Sequence, residues 1–169
     1  MSMTVSRSQP QSEWLTQIFN DLGATIFGYL KTMLGDTAAA EDVLQNVFVR
    51  LMAVTPSEIH NLRSFVFTLA HNEAVREAER RQRDNEAVTR SDKIFTVADR
   101  QTLSAVEVAS LEEALVSLPA EQRQVVYLKI YGDLSFDEIA QTLAIPNNTA
   151  ASRYRYALQK MRDFLGERP

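Results

Sequence analysis

The sequence predicts an all-α protein made of two small helical domains, and three observations support this fold class. Apolar residues recur at helical spacing in several long segments, and nothing in the chain reads as a ladder of strands. The few prolines and glycines fall between these segments. Residues 84–102 are polar and aperiodic over a length that is uncommon for a loop inside a compact domain. We therefore expect domains at 11–83 and 103–169, joined by a flexible linker at 84–102.

Three helices are expected in the first domain. An apolar residue at every fourth position marks one buried face of a helix from Trp14 to Leu34: Ile18, Leu22, Ile26, Leu30 and Leu34. A second helix, from Thr37 to Val54, carries two adjacent apolar rows: Val43, Val47, Leu51 and Leu44, Phe48, Met52. A third is expected from about Asn61 to Arg83, with apolar positions that include Leu62, Phe65, Val66, Leu69 and Ala70.

Four helices are expected in the second domain. The segment from Leu103 to Ser117 is amphipathic. Pro119 is expected in the first turn of the next helix, where its missing N–H costs nothing. That helix should stop at Gly132 and bury Val125, Val126, Leu128 and Ile130.

The last two helices are predicted to form a helix-turn-helix, "SFDEIAQTLAIPNNTAASRYRYALQKM", from Ser135 to Met161. Ser135, with Glu138 three residues later, forms a capping box that starts a short helix. Pro146 prevents that helix from continuing, and Asn147 or Asn148 is expected to cap the final one. The final helix would bury Ala150, Tyr154, Ala157, Leu158 and Met161.

Short polar side chains and arginines lie near the start of the final helix, largely away from its buried face. Such groups contact phosphates and reach base edges in a major groove. A helical hairpin with a solvated basic face is the alternative. The order of capping box, small Ala140, Ile-Pro turn and basic helix favours DNA reading. The predicted contacts are Asn148, Thr149, Ser152, Arg153, Arg155 and Tyr156.

The composition excludes several classes of function. The chain has no cysteine, which removes disulfides, thiolate metal sites and cysteine nucleophiles. Its two histidines, His60 and His71, are a poor basis for a metal site, and no glycine-rich phosphate loop or Ser/His/Asp set is present. We expect no enzymatic activity, no cofactor and no metal, and we interpret His71 as a structural residue.

Charge and hydropathy indicate where the protein acts. No apolar run reaches the roughly 20 residues of a membrane span, and the polar N-terminus lacks the apolar segment of a secretory signal, so a cytoplasmic protein is expected. The formal net charge of −4 argues against a protein that coats nucleic acid by itself. Acidic residues dominate from Leu103 to Ile145, however, and basic residues dominate from Pro146 onward. Nothing supports homo-oligomerisation.

Three segments resemble one known family. "SLPAEQRQVVYLKIYGDLSFDEIAQTLAIPNNTAASRYRYALQKMRDFL" resembles region 4 of bacterial sigma factors of the extracytoplasmic-function group, in the sigma-70 family. "LGDTAAAEDVLQNVFVRLM" resembles their region 2.2, and "LRSFVFTLAHNEAVREAERRQR" resembles region 2.4. The order and the intervening linker agree, from about Trp14 to Leu165. The resemblance implies a transcription initiation factor that binds core RNA polymerase and directs it to promoter DNA.

The resemblance also implies which residues contact which partner. Region 4 would read the −35 element and contact the polymerase flap. Region 2 would bind the polymerase clamp helices through a polar patch on the second helix: Glu41, Asp42, Gln45, Asn46 and Val49. It would read the −10 element through the third helix, with Phe65, Asn72, Arg76, Arg80, Arg81 and Arg83. Glutamates interleave with these arginines, at Glu73, Glu77 and Glu79, so a network of surface ion pairs along the helix is the alternative. The loop from Ala53 to Leu62 would hold a flipped base, and an anti-sigma factor between the domains is a further implied partner.

Several positions depart from the family pattern and keep two alternatives open. Arg76 stands where an aspartate is usual, Glu79 where an arginine is usual, and Phe65 where a tryptophan is common. The protein could be a degenerate relative that binds polymerase or an anti-sigma factor without reading promoters. It could also be a regulator that binds DNA alone through its C-terminal half, which the region 2 resemblance and the acidic net charge oppose.

Overall fold

In the computed structural model, which describes residues 11–84 and 105–166, the chain forms seven α-helices and one short 3-10 helix. The first half contains α1 (Gln11–Leu34), α2 (Thr37–Leu51), the 3-10 helix (Pro56–Glu58) and α3 (Leu62–Arg83). The second half contains α4 (Ala105–Ser117), α5 (Ala120–Ile130), α6 (Phe136–Leu143) and α7 (Asn147–Gly166). The all-α prediction is confirmed, since these two ranges contain no strand. None of their helices has the length and apolar character needed to cross a membrane.

The first three helices pack around the predicted apolar face of α1, whose central residues are fully buried: Ile18, Leu22, Ile26 and Leu30. α1 ends at Gly35, which has a φ of 67° and donates its N–H to the Lys31 carbonyl at 2.9 Å. Asp36 then caps α2, because its carboxylate accepts the N–H groups of Ala38 and Ala39, each at 3.3 Å.

The predictions of helix ends and buried residues were wrong at the edges of the apolar faces. α2 ends at Leu51 rather than Val54, and Met52, which we placed in an apolar row, is 55% exposed. Phe65 of α3 is 37% exposed, and Ile130 of α5 is only partly buried. These residues border an apolar stripe, where residue type alone does not decide burial.

In the second half, α4, α5 and α7 enclose a small apolar cluster: Ala114, Leu115, Leu118, Val126, Ala157 and Met161. Two prolines stand just outside helices rather than within them. Pro119 precedes α5, and its carbonyl accepts the N–H groups of the first turn. Pro146 does the same for α7, so Asn147 is already a helical residue and the expected asparagine cap was wrong.

One apolar core runs through both halves. It combines residues of α1–α3 with others from α5 and α6: Val125, Tyr127, Leu128, Ile139 and Ala140. α1 packs on α5, and α3 packs on α6. The predicted linker at 84–102 lies outside the described residues, except for Asp84, which follows the last turn of α3. The predicted domain boundaries therefore stay a prediction.

The turn of the helix-turn-helix contains a strained residue. Ala144, directly after α6, has φ 52° and ψ 46°, the left-handed conformation that glycine normally supplies. The Ile145 N–H donates to the Ala140 carbonyl at 3.0 Å, and the Ala144 N–H donates to the Gln141 carbonyl at 3.3 Å. These two bonds are those of a Schellman motif, which fixes the angle between α6 and α7. The Cβ of Ala144 makes this conformation unfavourable by about 1 kcal/mol.

Replacing Ala144 by glycine is therefore expected to stabilise the protein. We expect Ala144→Gly to raise the free energy of unfolding by about 0.5–1 kcal/mol in urea denaturation, because relief of the strain exceeds the added entropy of the unfolded chain. Ala78→Gly is the matched control. Ala78 is exposed within α3, where the same change should cost about 1 kcal/mol. Equal destabilisation by both changes would contradict the strain at Ala144.

Candidate nucleic-acid interface

The helix-turn-helix presents the start of α7 to solvent. The predicted capping box is confirmed: the Ser135 hydroxyl accepts the Glu138 N–H at 3.2 Å, and the Glu138 carboxylate accepts the Ser135 N–H at 2.7 Å. Phe136 of α6 meets Tyr154 of α7 edge to face, with ring centroids 5.5 Å apart. The Asn147 side chain donates to the Asp137 carboxylate. α6 therefore contacts α7 both on the buried side of α7 and at Asn147, the first residue of α7.

The six predicted contacts on α7 lie in two adjacent rows on its outer side. Helical spacing places Asn148, Ser152 and Arg155 in one row, and Thr149, Arg153 and Tyr156 in the next. Asn148, Arg155 and Tyr156 are exposed, and the other three are partly buried. The structure thus brings the whole predicted set to one surface, which is the arrangement that a helix in a major groove needs.

Two of the arginines on this surface are oriented by neighbours. The Arg155 guanidinium lies 5.2 Å from the centroid of the Tyr156 ring. Arg153 pairs with Glu121 at the start of α5, with Nη2 and Oε2 2.8 Å apart. Since the Glu121 side chain is largely exposed, this pair is solvent-screened and contributes little to stability. Arg153 is therefore available to a phosphate that displaces Glu121.

The predicted −10 residues on α3 divide between two sides of the helix. Spacings of seven, four and seven residues place Phe65, Asn72, Arg76 and Arg83 on one exposed face, with Arg80 at its edge. Arg81 lies on a different side of α3, and its side chain is largely buried. Its Nη2 lies 2.5 Å from Asp36 Oδ2 at the cap of α2. The structure does not bring Arg81 to the face shared by the other five.

Carboxylates engage most of these arginines. The Arg81 hydrogen bond lowers the pKa of Asp36, and the hydrogen bond from Arg80 lowers the pKa of Glu77. Arg76 Nη1 lies 2.5 Å from the carboxylate of Glu73, which is buried and also pairs with Arg50 of α2 at 2.8 Å. Phosphate binding by this helix is consequently weakened. The exposed ring of Phe65 and the amide of Asn72 suit stacking on and hydrogen bonding to unpaired bases.

Sequence spacing identified Glu73 and Glu77 as partners of the α3 arginines, and it missed only the contacts that α3 makes with α2. Asp36 stands directly before a helix, where an N-cap is common. Likewise, Asn61 caps α3 by accepting the Ser64 N–H at 3.0 Å. The ion pair between the buried Glu73 and Arg50 joins α3 to α2, and no local sequence pattern predicts it.

The polar patch predicted on α2 is exposed throughout: Glu41, Asp42, Gln45, Asn46 and Val49. Its buried counterparts on the same helix include Val43, Val47 and Leu51. The patch continues into apolar side chains that the sequence did not single out. Phe19 of α1 is 56% exposed and packs edge to face on Phe48, next to the exposed Val49 and Met52. Exposed apolar side chains beside polar ones are typical of a surface that binds another protein.

The loop between α2 and α3 contains the 3-10 helix and is held at its start by α1. The Gln11 side-chain amide donates to the carbonyls of Met52, at 2.5 Å, and Val54, at 3.3 Å. His60 is exposed, and Ile59 packs against the core. The loop predicted to hold a flipped base leads directly into the first turn of α3, which carries Phe65.

Comparison with known proteins gives two family matches. The model for sigma-70 region 2 matches residues 18–84, and the model for sigma-70 region 4 matches residues 109–161. Similar proteins include the ECF RNA polymerase sigma factor SigL of Mycobacterium tuberculosis, 27% identical over 173 residues that cover 99% of this chain and 97% of SigL. Another is SigK of Mycobacterium bovis, 25% identical over 158 residues, which cover 88% and 84% of the two chains.

Two solved structures share the fold. The sigma factor RpoE, in complex with the anti-sigma factor NepR from Bartonella quintana, has a TM-score of 0.71 at 19% identity and covers 94% of this chain and 99% of its own. CnrH, in complex with the cytosolic domain of CnrY, has a TM-score of 0.61 at 18% identity and covers 94% and 91%.

His71 is partly buried, and its ring contacts a buried residue of the core. Its Nδ1 is 2.9 Å from the hydroxyl of the buried Tyr29. Burial lowers the pKa of His71, because desolvation disfavours the imidazolium. A neutral imidazole accepts the Tyr29 hydrogen bond, whereas an imidazolium offers no acceptor.

Stability should therefore fall as the pH falls through the range in which free histidine titrates. A depressed folded-state pKa means that the unfolded chain takes up the proton first, so His71 stabilises the fold above about pH 6.5 and loses that contribution below it. We expect the free energy of unfolding in urea to decrease between about pH 7.5 and about pH 5.5. His71→Gln should flatten this dependence, and His60→Gln, at the exposed histidine, should not. An unchanged slope in His71→Gln would contradict the assignment.

Proposed function

This chain belongs to the sigma-70 family of bacterial RNA polymerase sigma factors, in the extracytoplasmic-function group, and we propose which of its surfaces contacts each part of the promoter and of polymerase. The protein is a transcription initiation factor that binds core RNA polymerase and directs it to specific promoters. The outer rows of α7 read the −35 element, and the Phe65 face of α3 reads the −10 element. The patch on α2 binds the polymerase clamp, and the second half contacts the flap.

One observation carries this assignment: the same chain presents a basic reading helix and a separate protein-binding patch. The α7 rows combine short polar groups with Arg153 and Arg155, as base-edge and phosphate contacts require. The α2 patch is acidic and polar around exposed apolar residues, which suits a protein partner and repels DNA. A regulator that binds DNA alone would have no use for the second surface.

The ion pairs of α3 support a role in which this helix binds DNA only together with polymerase. Carboxylates engage Arg76, Arg80 and Arg81 of α3, so this helix has little affinity for duplex DNA by itself. Its aromatic and amide groups are useful only once a strand has been opened, which polymerase makes possible. Polymerase performs the chemistry, and we propose no enzymatic activity for this chain. Its place of action is the cytoplasm, where DNA and polymerase are.

An anti-sigma factor is a further proposed partner. RpoE was solved with the anti-sigma factor NepR, and its fold is shared by this chain. The exposed apolar centre of the α2 patch, with Phe19, Val49 and Met52, is a surface that such a partner could cover.

Promoter selection by core bacterial RNA polymerase tests the function directly. Transcripts would be started on a fragmented genomic library with and without the protein, and their 5′ ends would be mapped. We expect starts that appear only with the protein and share two upstream motifs at fixed spacing. Polymerase binding without new starts would favour a degenerate interaction protein, and DNA binding without polymerase binding would favour a stand-alone regulator.

Single substitutions should separate the two surfaces. We expect Arg155→Ala to reduce transcription from such promoters about 5- to 100-fold, the equivalent of a lost base contact, with core binding unchanged. Ser152→Ala should act in the same direction. Asp42→Ala and Gln45→Ala should instead weaken binding to core polymerase.

Arg162→Ala is the matched control, because it removes the same charge from the far end of α7. It should have a much smaller effect than Arg155→Ala. The reverse pattern, with the α7 variants failing to bind polymerase and the α2 variants failing only at the promoter, would contradict the division of roles.

A further inference from the structure

Two arginines from different helices meet at one buried carboxylate. Glu73 of α3 is only 7% exposed, and its Oε1 atom lies 2.8 Å from Nε of Arg50 and 2.5 Å from Nη1 of Arg76. Arg50 stands in the last turn of α2, and Arg76 follows Glu73 by three residues on α3. The carboxylate therefore brings two guanidinium groups, which we call the arginine pair, to the same oxygen atom.

Both members of the arginine pair keep donors that face solvent. The side chains of Arg50 and Arg76 are 51% and 61% exposed, although their shared partner is buried. A guanidinium has five N–H donors, and the contact with Glu73 uses one nitrogen of each group. Within these three side chains, one carboxylate balances only one of two positive charges. Exposed guanidinium groups with spare donors match the oxygens of a phosphate group.

The other ion pairs of α3 have no such excess of positive charge. Glu77 is shared by Arg80 and Arg81. Arg80 also pairs with Asp84, and Arg81 also pairs with Asp36. Three carboxylates thus contact two arginines in this second network, whereas one carboxylate serves both members of the arginine pair. Of the two networks, the one that contains the arginine pair is suited to attract an anion.

The arginine pair lies next to the residues proposed to read the opened strand. Asn72 precedes Arg76 by four residues on the same exposed face of α3, about 6 Å away along the helix axis. Arg50 comes just before the loop that joins α2 to α3. A strand with a base at Asn72 would therefore have its backbone within reach of the arginine pair.

Resting on the proposed function, we propose that Arg50 and Arg76 together bind one backbone phosphate of the promoter strand that α3 reads. Arg50 is then a DNA contact on α2, the helix whose other exposed residues are assigned to polymerase. A single phosphate contact gives little affinity by itself, so it acts only after polymerase has placed the DNA. Arg76 stands where the family usually has an aspartate, which makes the site a feature of this chain.

Neutral phosphate analogues in the DNA test the proposal. Core polymerase carrying the protein would bind a promoter fragment found in the transcript-mapping experiment, with a methylphosphonate replacing one phosphate at a time across the −10 element. We expect one position at which this neutral group weakens binding about tenfold or more, as the loss of a charged hydrogen bond does.

The two arginines should depend on the same phosphate. Arg50→Gln and Arg76→Gln should each weaken binding to the unmodified fragment, and the methylphosphonate at that position should then have a much smaller further effect. In the double variant it should have none. A merely structural role of the ion pairs would weaken binding and leave the full effect of the methylphosphonate in place.

Arg162→Gln is the matched control, because it removes an equally charged, exposed side chain from the far end of α7. The effect of the methylphosphonate should be the same in this variant as in the wild type. Urea denaturation of every variant checks that the fold is retained.

The other outcomes contradict one claim or the other. If the methylphosphonate acts fully in both arginine variants, or if the two arginines depend on different phosphates, the shared site is wrong. Weaker binding of either variant to core polymerase without DNA would mean that the arginine pair contacts an acidic surface of polymerase instead. If polymerase carrying the wild-type protein selects no promoter, the proposed function itself fails.

Discussion

The contact between Tyr127 of α5 and the surface of α1 at Gly28 makes one core out of two helical halves. Burial raises the pKa of Tyr127, and its hydroxyl has a carbonyl partner on α1, so the side chain is satisfied only while the halves are docked. The position of α6 on α3 follows from this contact, since α6 leaves α5 through a short connection. The placement of α7, and with it the rows proposed to read DNA, follows in turn.

The glycine that this contact requires has a cost within α1. A glycine in the middle of α1 weakens that helix by about 1 kcal/mol, and here it accommodates a tyrosine from the other half. The arginines of α3 show a similar compromise. Two ion pairs, Glu73 with Arg50 and Arg81 with Asp36, fasten α3 to α2 and its cap. Together with Glu77, these carboxylates limit the attraction of α3 for phosphates. The affinity of α3 for DNA should therefore be low until polymerase has bound the protein.

Local sequence signals were enough to predict the helices and the outer rows of α7, because each depends on residues that are near in sequence. The capping box at Ser135, the breaks at Gly35 and Pro146, and the outer rows of α7 all follow from spacings of a few residues. The docking contacts join residues that are far apart, such as Tyr127 with Thr25 and Thr68 with Thr142. Periodicity identifies a buried face of α5 but does not tell which other helix covers it.

The central claim is that the two halves share one core and are docked in the free protein, and a distance measurement tests it most directly. The chain has no cysteine, so spin labels can be attached to Asp21→Cys on α1 and Val116→Cys on α4, both exposed and outside the proposed binding surfaces. We predict one narrow distance distribution for the free protein, at the separation that the structure gives. A broad distribution that extends to long distances would contradict the account.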